Sequence, residues 1–412
     1  MTAAAPPVAS TRAVIGCPDC GTRQQLPPLA HGDILSCVTC TSPLERRFGQ
    51  SLVVALCCSA ATLLLLLPAN LATFLTTEAF GVSRHSYLAS TAGSILEGGW
   101  PWLALVIFLF VVVFPLVRFG LLTLVLGDLY LGRRRHWHGR AFRWANELET
   151  WAMIDVFLLA FVVAYVRLQA AISVHLEVGA MALIAAAVLS LFTRATLDKA
   201  TIWQLISPDR SPPDPLATVA CIRCDLLVPP QRNGTPCPRC GAALHRREVE
   251  SIGMTLALTI AAVLLYIPAN IYPMAILPIH FRPTSYTVLK GVIDLADAKF
   301  YGLAALVFVA SFVIPVMKLV GLGWCAVSVM TRSRRHLVAK TRVYRLVDEV
   351  GRWSMVDPFV IGCIAPVLNY NALIHGGAGP AALPFTAVVV LTVFSAKTFD
   401  PRLMWDAARR RS

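Results

Sequence analysis

The chain has 412 residues, of which 57% are hydrophobic and only 14% are charged, and its mean hydropathy is +0.66. This composition excludes an ordinary soluble protein and indicates a chain that lies largely in a lipid bilayer. A formal charge of +13 is also found in nucleic-acid-binding proteins, but here the basic residues lie at the borders of apolar segments. Membrane topology explains the charge, and we expect no nucleic-acid partner.

The first predicted element is a zinc ribbon within residues 1–48. The pairs Cys17-x-x-Cys20 and Cys37-x-x-Cys40 are separated by sixteen residues, and two such turns supply the four thiolates of a tetrahedral zinc site. No secretory signal precedes the first apolar segment, so we expect these thiols in the reducing cytosol, where disulfides are rare. Rubredoxin-like iron is the alternative metal. Four protein ligands leave no open position, which predicts a structural or docking role.

Residues 49–206 form the first predicted transmembrane module. Its four apolar segments begin near Ser51, Pro101, Trp151 and Gly179, and each is read as a span of a ~30 Å hydrocarbon core. The fourth span is among the weakest, because its uncharged run is short and ends in charge. The loop between the second and third spans is rich in arginine, and basic loops stay in the cytoplasm.

Residues 207–248 contain a linker, Ser207–Pro215, and a second ribbon, and residues 249–412 form a second module with a basic C-terminal tail. The second ribbon carries Cys221, Cys224, Cys237 and Cys240. The spans of the second module begin near Ile252, Tyr301, Trp353 and Ala381. The last of these is also a weak span. We therefore expect two structural zinc ions per chain.

An internal repeat relates the two halves. Pro68-Ala69-Asn70 recurs 200 residues later as Pro268-Ala269-Asn270, and Trp151 recurs as Trp353 at an offset of 202. Each half has an even number of spans, so the copies are parallel. The sequence predicts an all-α polytopic membrane protein of two tandem repeats, each a small cytosolic ribbon with a four-helix module. The prediction is eight spans with both termini cytosolic.

Charged residues inside the spans are the second informative class, because each costs several kcal/mol unless it is paired or faces a cavity. They are Arg118, Lys318, Asp155, Asp357, Asp198 and Asp400. We favour an Arg–Asp or Lys–Asp network that holds the second, third and fourth helices of each module together. A proton relay is the alternative.

Three further polar positions stand out. Arg167 lies near the far end of the third span, where the second copy has Asn369, and it either reaches the membrane interface or contacts a lipid headgroup. Asn70 and Asn270 follow the prolines of the first and fifth spans and are placed to satisfy the backbone carbonyls that those prolines release.

These motifs together resemble the paraquat-inducible protein A family of Gram-negative inner-membrane proteins. The resemblance rests on the duplicated ribbons, the two Pro-Ala-Asn motifs, the Trp-x-Met-x-Asp that opens each third span and the Thr-x-Asp that closes each module. It implies an inner-membrane protein that moves phospholipid between the inner membrane and a periplasmic tunnel protein of the mammalian-cell-entry (MCE) class. It also implies functional roles for Arg167 and Thr398, although Arg167 stands where the family is expected to have lysine.

Other function classes fit the residues less well. The chain has no nucleotide-binding motif, so transport would draw on an ion gradient or on the partner. A membrane redox enzyme would need cysteine pairs outside the cytosol or facing histidines within spans, and the sequence has neither. A membrane-anchored zinc-ribbon scaffold or stress-response sensor without transport activity is the alternative. We expect no enzymatic activity.

Overall fold

The computed structural model describes residues 14–25, 33–46, 52–79, 82–97, 100–169, 173–208, 219–229, 232–245, 247, 250–279, 282–368 and 377–409. Most of the predicted linker Ser207–Pro215, both termini and Asn369 lie outside these residues. The first ribbon consists of two short antiparallel hairpins. Its strands are β1 (Val14–Gly16), β2 (Arg23–Gln25), β3 (Ile34–Ser36) and β4 (Pro43–Arg46).

The first module contains seven helices and a three-stranded sheet. In chain order they are α1 (Leu52–Leu71), β5 (Thr73–Ala79), β6 (Val82–Tyr87), α2 (Leu88–Glu97), α3 (Pro101–Tyr130), α4 (His138–Glu147), α5 (Ile154–Gln169), β7 (Ser173–Leu176), α6 (Val178–Thr196) and α7 (Lys199–Ile206). The sheet has the order β6-β5-β7 and lies at the end of the helices opposite the ribbons, which we call the far side.

The second half repeats this order element by element. The second ribbon carries β8 (Val219–Ala220) and β9 (Leu227–Val228). The module then has α8 (Ser251–Ile271), β10 (Ala275–Ile279), β11 (Arg282–Tyr286), α9 (Val288–Asp297), α10 (Tyr301–Met330), α11 (Leu337–Val350), α12 (Val356–Leu368), β12 (Gly377–Ala378), α13 (Ala382–Thr398) and α14 (Arg402–Arg409). The predicted tandem repeat is confirmed. The all-α expectation was wrong in detail, because it overlooked the sheet on the far side of each module.

The long second helices share an irregular segment. A π-helical turn over Phe108–Val113 precedes Pro115 in α3, and one over Val309–Val313 precedes Pro315 in α10. Proline has no N–H to donate and its ring crowds the preceding turn. A wider turn at this position accommodates the ring without breaking the helix.

Five described helices are long and apolar enough to cross a membrane, namely α1, α3, α6, α8 and α10. A sixth is counted when α13 and α14, which are bent by 50°, are taken together. The sequence ranked the fourth and eighth spans as the weakest. Of the five helices, α6 has the lowest mean hydropathy, 1.9, and α13 is counted only together with α14. The sequence overlooked that the third spans are short, with 16 residues in α5 and 13 in α12. These two pack against each other between the modules, so protein covers much of their surface.

Candidate metal centres and the charged core between the modules

The eight predicted metal ligands form two buried clusters. In the first ribbon, the Sγ atoms of Cys17 and Cys40 are 3.4 Å apart and those of Cys20 and Cys37 are 3.5 Å apart. In the second ribbon, both corresponding distances, Cys221 to Cys240 and Cys224 to Cys237, are 3.6 Å. All four sulfur atoms of each cluster lie within 4.8 Å of one another, so each cluster can hold a metal ion.

Backbone geometry explains why each C-x-x-C forms a tight turn. The residue after the second cysteine donates its N–H to the carbonyl of the first, as Gly21 does to Cys17 and Gly241 to Cys237. That residue has a positive φ in all four turns: Gly21 (71°), Thr41 (60°), Asp225 (55°) and Gly241 (69°). The turn brings both sulfur atoms to one side of the backbone.

The donor set fits a closed tetrahedral site. Bonds of ~2.3 Å from zinc to four sulfur atoms place those atoms about 3.8 Å apart, close to the separations seen. All eight cysteines are at most 3% exposed, which leaves no path for a substrate to the metal position. The clusters therefore suit a structural ion, and catalysis at the metal is not indicated.

The first ribbon packs against the second module. The carboxylate of Asp19 lies 3.6 Å from Arg345 of α11, and Thr41 accepts a hydrogen bond of 3.4 Å from Arg342. The four cysteines of this ribbon belong to one apolar cluster with Cys325, Val329, Phe399, Met404 and Trp405 of the second module. The ribbon that begins the chain is thus seated on the module that ends it.

The second ribbon packs against the first module in return. Arg223 lies 3.5 Å from Glu147 of α4, and Arg239 donates a hydrogen bond to the carbonyl of Ser207. The backbone of Arg239 also lies directly against Gly139 of α4. Each ribbon therefore packs on the module that it does not directly precede in the sequence, and we call this arrangement crossed. The two ribbons also contact each other, at Gly16 and Ala220.

The charges of the first module form a cluster around Glu149, which sequence reasoning missed. Arg118 is 1% exposed and lies 3.6 Å from the Glu149 carboxylate. Arg194 lies 3.6 Å and Lys199 lies 2.7 Å from the same carboxylate. Glu149 follows a basic helix and precedes an apolar run, and the sequence signal was the acidic pair Glu147 and Glu149 at that border.

Asp155 does not form the predicted ion pair with Arg118. It lies 3.2 Å from Arg194 of its own module and 3.9 Å from Arg352 of the second module. The expectation of an Arg118–Asp155 pair was therefore wrong. The reason is that Glu149 occupies the position nearest Arg118, which leaves Asp155 to face the boundary between the modules.

The second module has a different polar core. Lys318 is 1% exposed and donates hydrogen bonds of 3.1 Å to the carbonyl of Gly351 and to Ser354 Oγ. The predicted Lys318–Asp357 ion pair is not formed. Asp357 instead lies in the core beside Ser311, and Arg167 is a cation near enough to act on its carboxylate. Lysine at this position is satisfied by neutral oxygens, because the glutamate of the first module is replaced by Gly351.

Asp198 and Asp400 lie outside the predicted networks. Asp198 caps α7 by accepting hydrogen bonds from the backbone of Ala200 and from the backbone and hydroxyl of Thr201. Asp400 precedes α14 and forms an ion pair of 3.0 Å with Arg402. Each of these carboxylates stabilises the start of a short helix, so the expectation that they bind the second and third helices was wrong.

Arg167 contacts the second module on the far side. Its guanidinium donates a hydrogen bond of 3.1 Å to the carbonyl of Gly291 in α9. A Cβ on Gly291 would lie 2.7 Å from the nearest guanidinium nitrogen, so a larger residue there would force the end of the Arg167 side chain to shift. Helix α2 packs closely on α12, whereas its counterpart α9 makes much less contact with α5.

Thr398 belongs to a row of hydroxyl groups between α8 and α13. Its Oγ1 lies 3.4 Å from Thr255 Oγ1, and its carbonyl accepts a hydrogen bond from Ser251. Thr259 and Ser395 continue this row with an oxygen separation of 2.9 Å. The hydroxyls bond one another and nearby carbonyls, which satisfies polar groups within an apolar helix pair.

Asn70 and Asn270 each bond the carbonyl one turn earlier. The side-chain amides donate to the carbonyls of Leu66 and Tyr266, at 2.7 and 2.8 Å. A proline in a helix leaves free the carbonyl four residues before it. The carbonyls bound by Asn70 and Asn270 are therefore not the ones that Pro68 and Pro268 leave free. The asparagines instead reinforce the last turn of each helix.

These features define a multi-pass membrane protein of two tandem modules with two four-cysteine clusters. The profile of the family described as paraquat-inducible protein A matches residues 52–207 and 252–409, one match for each module. The chain belongs to this family, which confirms the resemblance seen in the sequence.

Relatives match nearly the whole chain. Intermembrane transport protein PqiA of Escherichia coli (strain K12) is 30% identical over 403 residues, covering 95% of each chain. Lipophilic envelope-spanning tunnel protein A of the same strain is 27% identical over 404 residues, covering 95% of this chain and 91% of that protein. A probable intermembrane transport protein of Haemophilus influenzae is 25% identical over 362 residues, or 84% of each chain. No solved structure matches the chain.

Proposed function

We propose that this protein is the inner-membrane component of an intermembrane lipid transport system, which moves phospholipid between the inner membrane and a periplasmic MCE-domain tunnel protein. Relatives that match 95% of the chain bear names that refer to intermembrane transport and to an envelope-spanning tunnel. The structural observation that carries the proposal is the polar core at the boundary of two membrane modules, because intramembrane charges mark substrate or ion pathways.

We further propose eight spans, with the ribbons, the basic loops and both termini in the cytosol. The exposed arginines of the loop after α3 and of the loop after α10 lie on the ribbon side, where the positive-inside rule places the cytoplasm. Helices α5 and α12 complete the eight as short third spans that are packed among other helices. The ion in each four-cysteine cluster is zinc, two per chain, since four thiolates in a closed tetrahedral set favour it.

The transport step requires an energy source outside the described site. Asp155 and Asp357 are the candidate proton carriers, and Asp357 is the stronger, because Asp155 is held in ion pairs with Arg194 and Arg352 whereas Asp357 lies beside the neutral Ser311. Arg167 and Thr398 are the candidate positions for lipid contact on the far and ribbon sides. Arg118 and Lys318 are the buried cations of the second helices, where they contact Glu149 and the carbonyl of Gly351.

A lipid-transfer measurement tests the proposal. Vesicles that contain the purified protein and a fluorescent phospholipid are mixed with the purified tunnel partner, and lipid bound to the partner is quantified. Transfer that depends on this protein and falls in Asp357→Asn supports the proposal. No transfer, with zinc content and partner binding intact, would favour the scaffold or sensor function, for which the crossed ribbons already provide a cytosolic surface spanning both modules.

A further inference from the structure

We infer that Arg118, Arg194 and Arg352, at the boundary between the two modules, form a binding site for a phosphate anion. We assign the anion to the headgroup of a phospholipid in the ribbon-side leaflet. This inference rests on the proposed function and deepens it, because it names the chemical group by which the membrane lipid is held. Below, these residues with Lys199, Glu149 and Asp155 are called the boundary cluster.

The boundary cluster has more positive than negative charge. Arg118, Arg194, Lys199 and Arg352 share the two carboxylates of Glu149 and Asp155. Two charges near the cluster face solvent, since the Lys199 side chain is 50% exposed and Glu349, the other carboxylate near Arg352, is 81% exposed. Three largely buried arginines and two largely buried carboxylates remain. An excess of cations in a partly buried site is unfavourable unless an anion joins it.

The arginines also carry hydrogen-bond donors that the protein does not use. The Nε atoms of Arg118 and Arg352 are buried and have no hydrogen-bond acceptor among the described residues, and the Nε of Arg194 is 3.6 Å from the Glu149 carboxylate, beyond hydrogen-bond distance. The ion-pair distances of 3.6 Å from Arg118 to Glu149 and 3.9 Å from Arg352 to Asp155 exceed the ~2.8 Å of a charge-assisted hydrogen bond. The planar guanidinium group is well suited to bind phosphate oxygens in pairs.

The depth and surroundings of the cluster fit a lipid headgroup. Arg194 lies in the last turn of α6 and Asp155 in the first turn of α5, at the ribbon-side ends of these helices. Close by, Trp151 of the first module contacts Phe394 of the second, with ring centroids 4.9 Å apart. Phe394 is 46% exposed on the membrane-facing surface of α13. This aromatic pair offers an apolar surface for the acyl chains of a lipid whose phosphate reaches the arginines.

Comparison of the two modules shows that the fold does not require the charges of Glu149 and Arg194. At the repeat offset of 202, Gly351 replaces Glu149 and Ala396 replaces Arg194, yet the second module has the same helices and sheet order. The cluster therefore serves a purpose that the second module does not share. A phosphate site present once per chain is consistent with this asymmetry.

The test measures lipid retention by the full-length protein, purified in detergent and analysed by native mass spectrometry. The probes are phosphatidylglycerol, diacylglycerol with the same acyl chains, and inorganic phosphate. We expect the wild type to retain phosphatidylglycerol and the double variant Arg194→Gln/Arg352→Gln to retain about tenfold less, as expected when charge-assisted bonds are lost. Diacylglycerol should not be retained. The matched control is Lys397→Gln, which removes a cation that pairs with Asp348 at a similar depth.

Equal retention by the double variant and the control would overturn the inference. Displacement of phosphatidylglycerol by millimolar inorganic phosphate would show a free-phosphate site and overturn the lipid assignment. If the double variant does not fold, a phosphatidylglycerol with a photoactivatable headgroup is crosslinked to the wild type. Crosslinks at Trp151, Arg194 or Arg352 support the inference, and their absence from these residues contradicts it. Retention needs no partner, so a wild type that binds lipid but transfers none would overturn the proposed function and leave this site standing.

Discussion

Gly139 of α4 lies directly against the backbone carbonyl of Arg239 in the second ribbon, and a Cβ at this position would overlap the carbonyl oxygen. Only glycine allows this approach. The contact joins the second ribbon to the first module, while the first ribbon is held by α11 and α14 of the second module. The first ribbon is therefore held by the second module, and the second ribbon is held by the first module.

Gly139→Ala is expected to displace the second ribbon from the first module. Overpacking of this kind typically costs about 1–3 kcal/mol. The expected result is faster modification of Cys221, Cys224, Cys237 and Cys240 by an alkylating reagent. The matched control is Gly253→Ala, because a Cβ on Gly253 has no atom within 4 Å. An alkylation rate in Gly139→Ala equal to that of the control would contradict the docking contact.

Two zinc ions per chain are expected from the two closed cysteine clusters. Cys240→Ser should lower the zinc content to one ion, because three thiolates hold the metal more weakly. Cys363→Ser, which changes a buried cysteine of α12, should leave two. Elemental analysis of the purified protein measures both. An iron absorbance, or less than one zinc per chain in the wild type, would disprove the assignment.

Local patterns in the sequence predicted the ribbons and the repeat, because the metal ligands and the spans are encoded by short spacings. The pairing of charges was predicted less well, since Arg118 and Asp155 were matched by depth alone and Glu149 was overlooked at a helix border. The crossing of the ribbons depends on contacts between residues that are distant in the sequence, from Glu147 with Arg223 to Asp19 with Arg345. Spacing within one ribbon carries no information on such contacts.

The far-side sheets were missed although a signal was present. Residues Thr73–Ala79 contain three threonines and a phenylalanine just after the first span, a composition typical of a strand. The hairpin β5–β6 is completed by β7, which follows the third span. Because the third strand comes from a distant loop, the hairpin alone did not indicate a sheet.

Arg167→Ala is expected to give a folded protein with impaired lipid transfer, because α9 loses its hydrogen bond to the first module. Gly291→Ala should have the same effect, since its Cβ would push the guanidinium away from the Gly291 carbonyl. Gly302→Ala is the control, as a Cβ there meets no atom within 4 Å. Transfer of fluorescent phospholipid to the partner is the readout. Normal transfer by both Arg167→Ala and Gly291→Ala would show that the contact between Arg167 and Gly291 is not needed for lipid transfer.

Glu149 should make the stability of the protein depend on acid pH. Burial raises its pKa, but Lys199, Arg118 and Arg194 lower it further, to about 2. Because this folded-state pKa lies below the ordinary value of 4.5, the stabilisation is fully present above about pH 4.5 and is lost as the pH falls towards 2. The shift corresponds to roughly 3 kcal/mol.

The measurement compares denaturant unfolding of the wild type and Glu149→Gln between pH 7 and pH 3. The variant should be less stable at neutral pH and lose less stability on acidification. Zinc release at low pH affects both proteins, so the difference between their curves isolates Glu149. A difference that does not change with pH would contradict the low pKa.

The last prediction concerns which charges depend on each other. Asp155 lies 3.2 Å from Arg194, whereas Arg118 lies nearest to Glu149. Residues in contact typically show coupling energies of about 0.5–3 kcal/mol, and separated residues are nearly additive. Asp155→Asn should therefore couple strongly to Arg194→Gln and only weakly to Arg118→Gln, in double-mutant cycles read out as thermal stability in detergent. Restoration of Asp155→Asn by Arg118→Gln, with no coupling to Arg194→Gln, would show that Asp155 pairs with Arg118 and would contradict the arrangement described above.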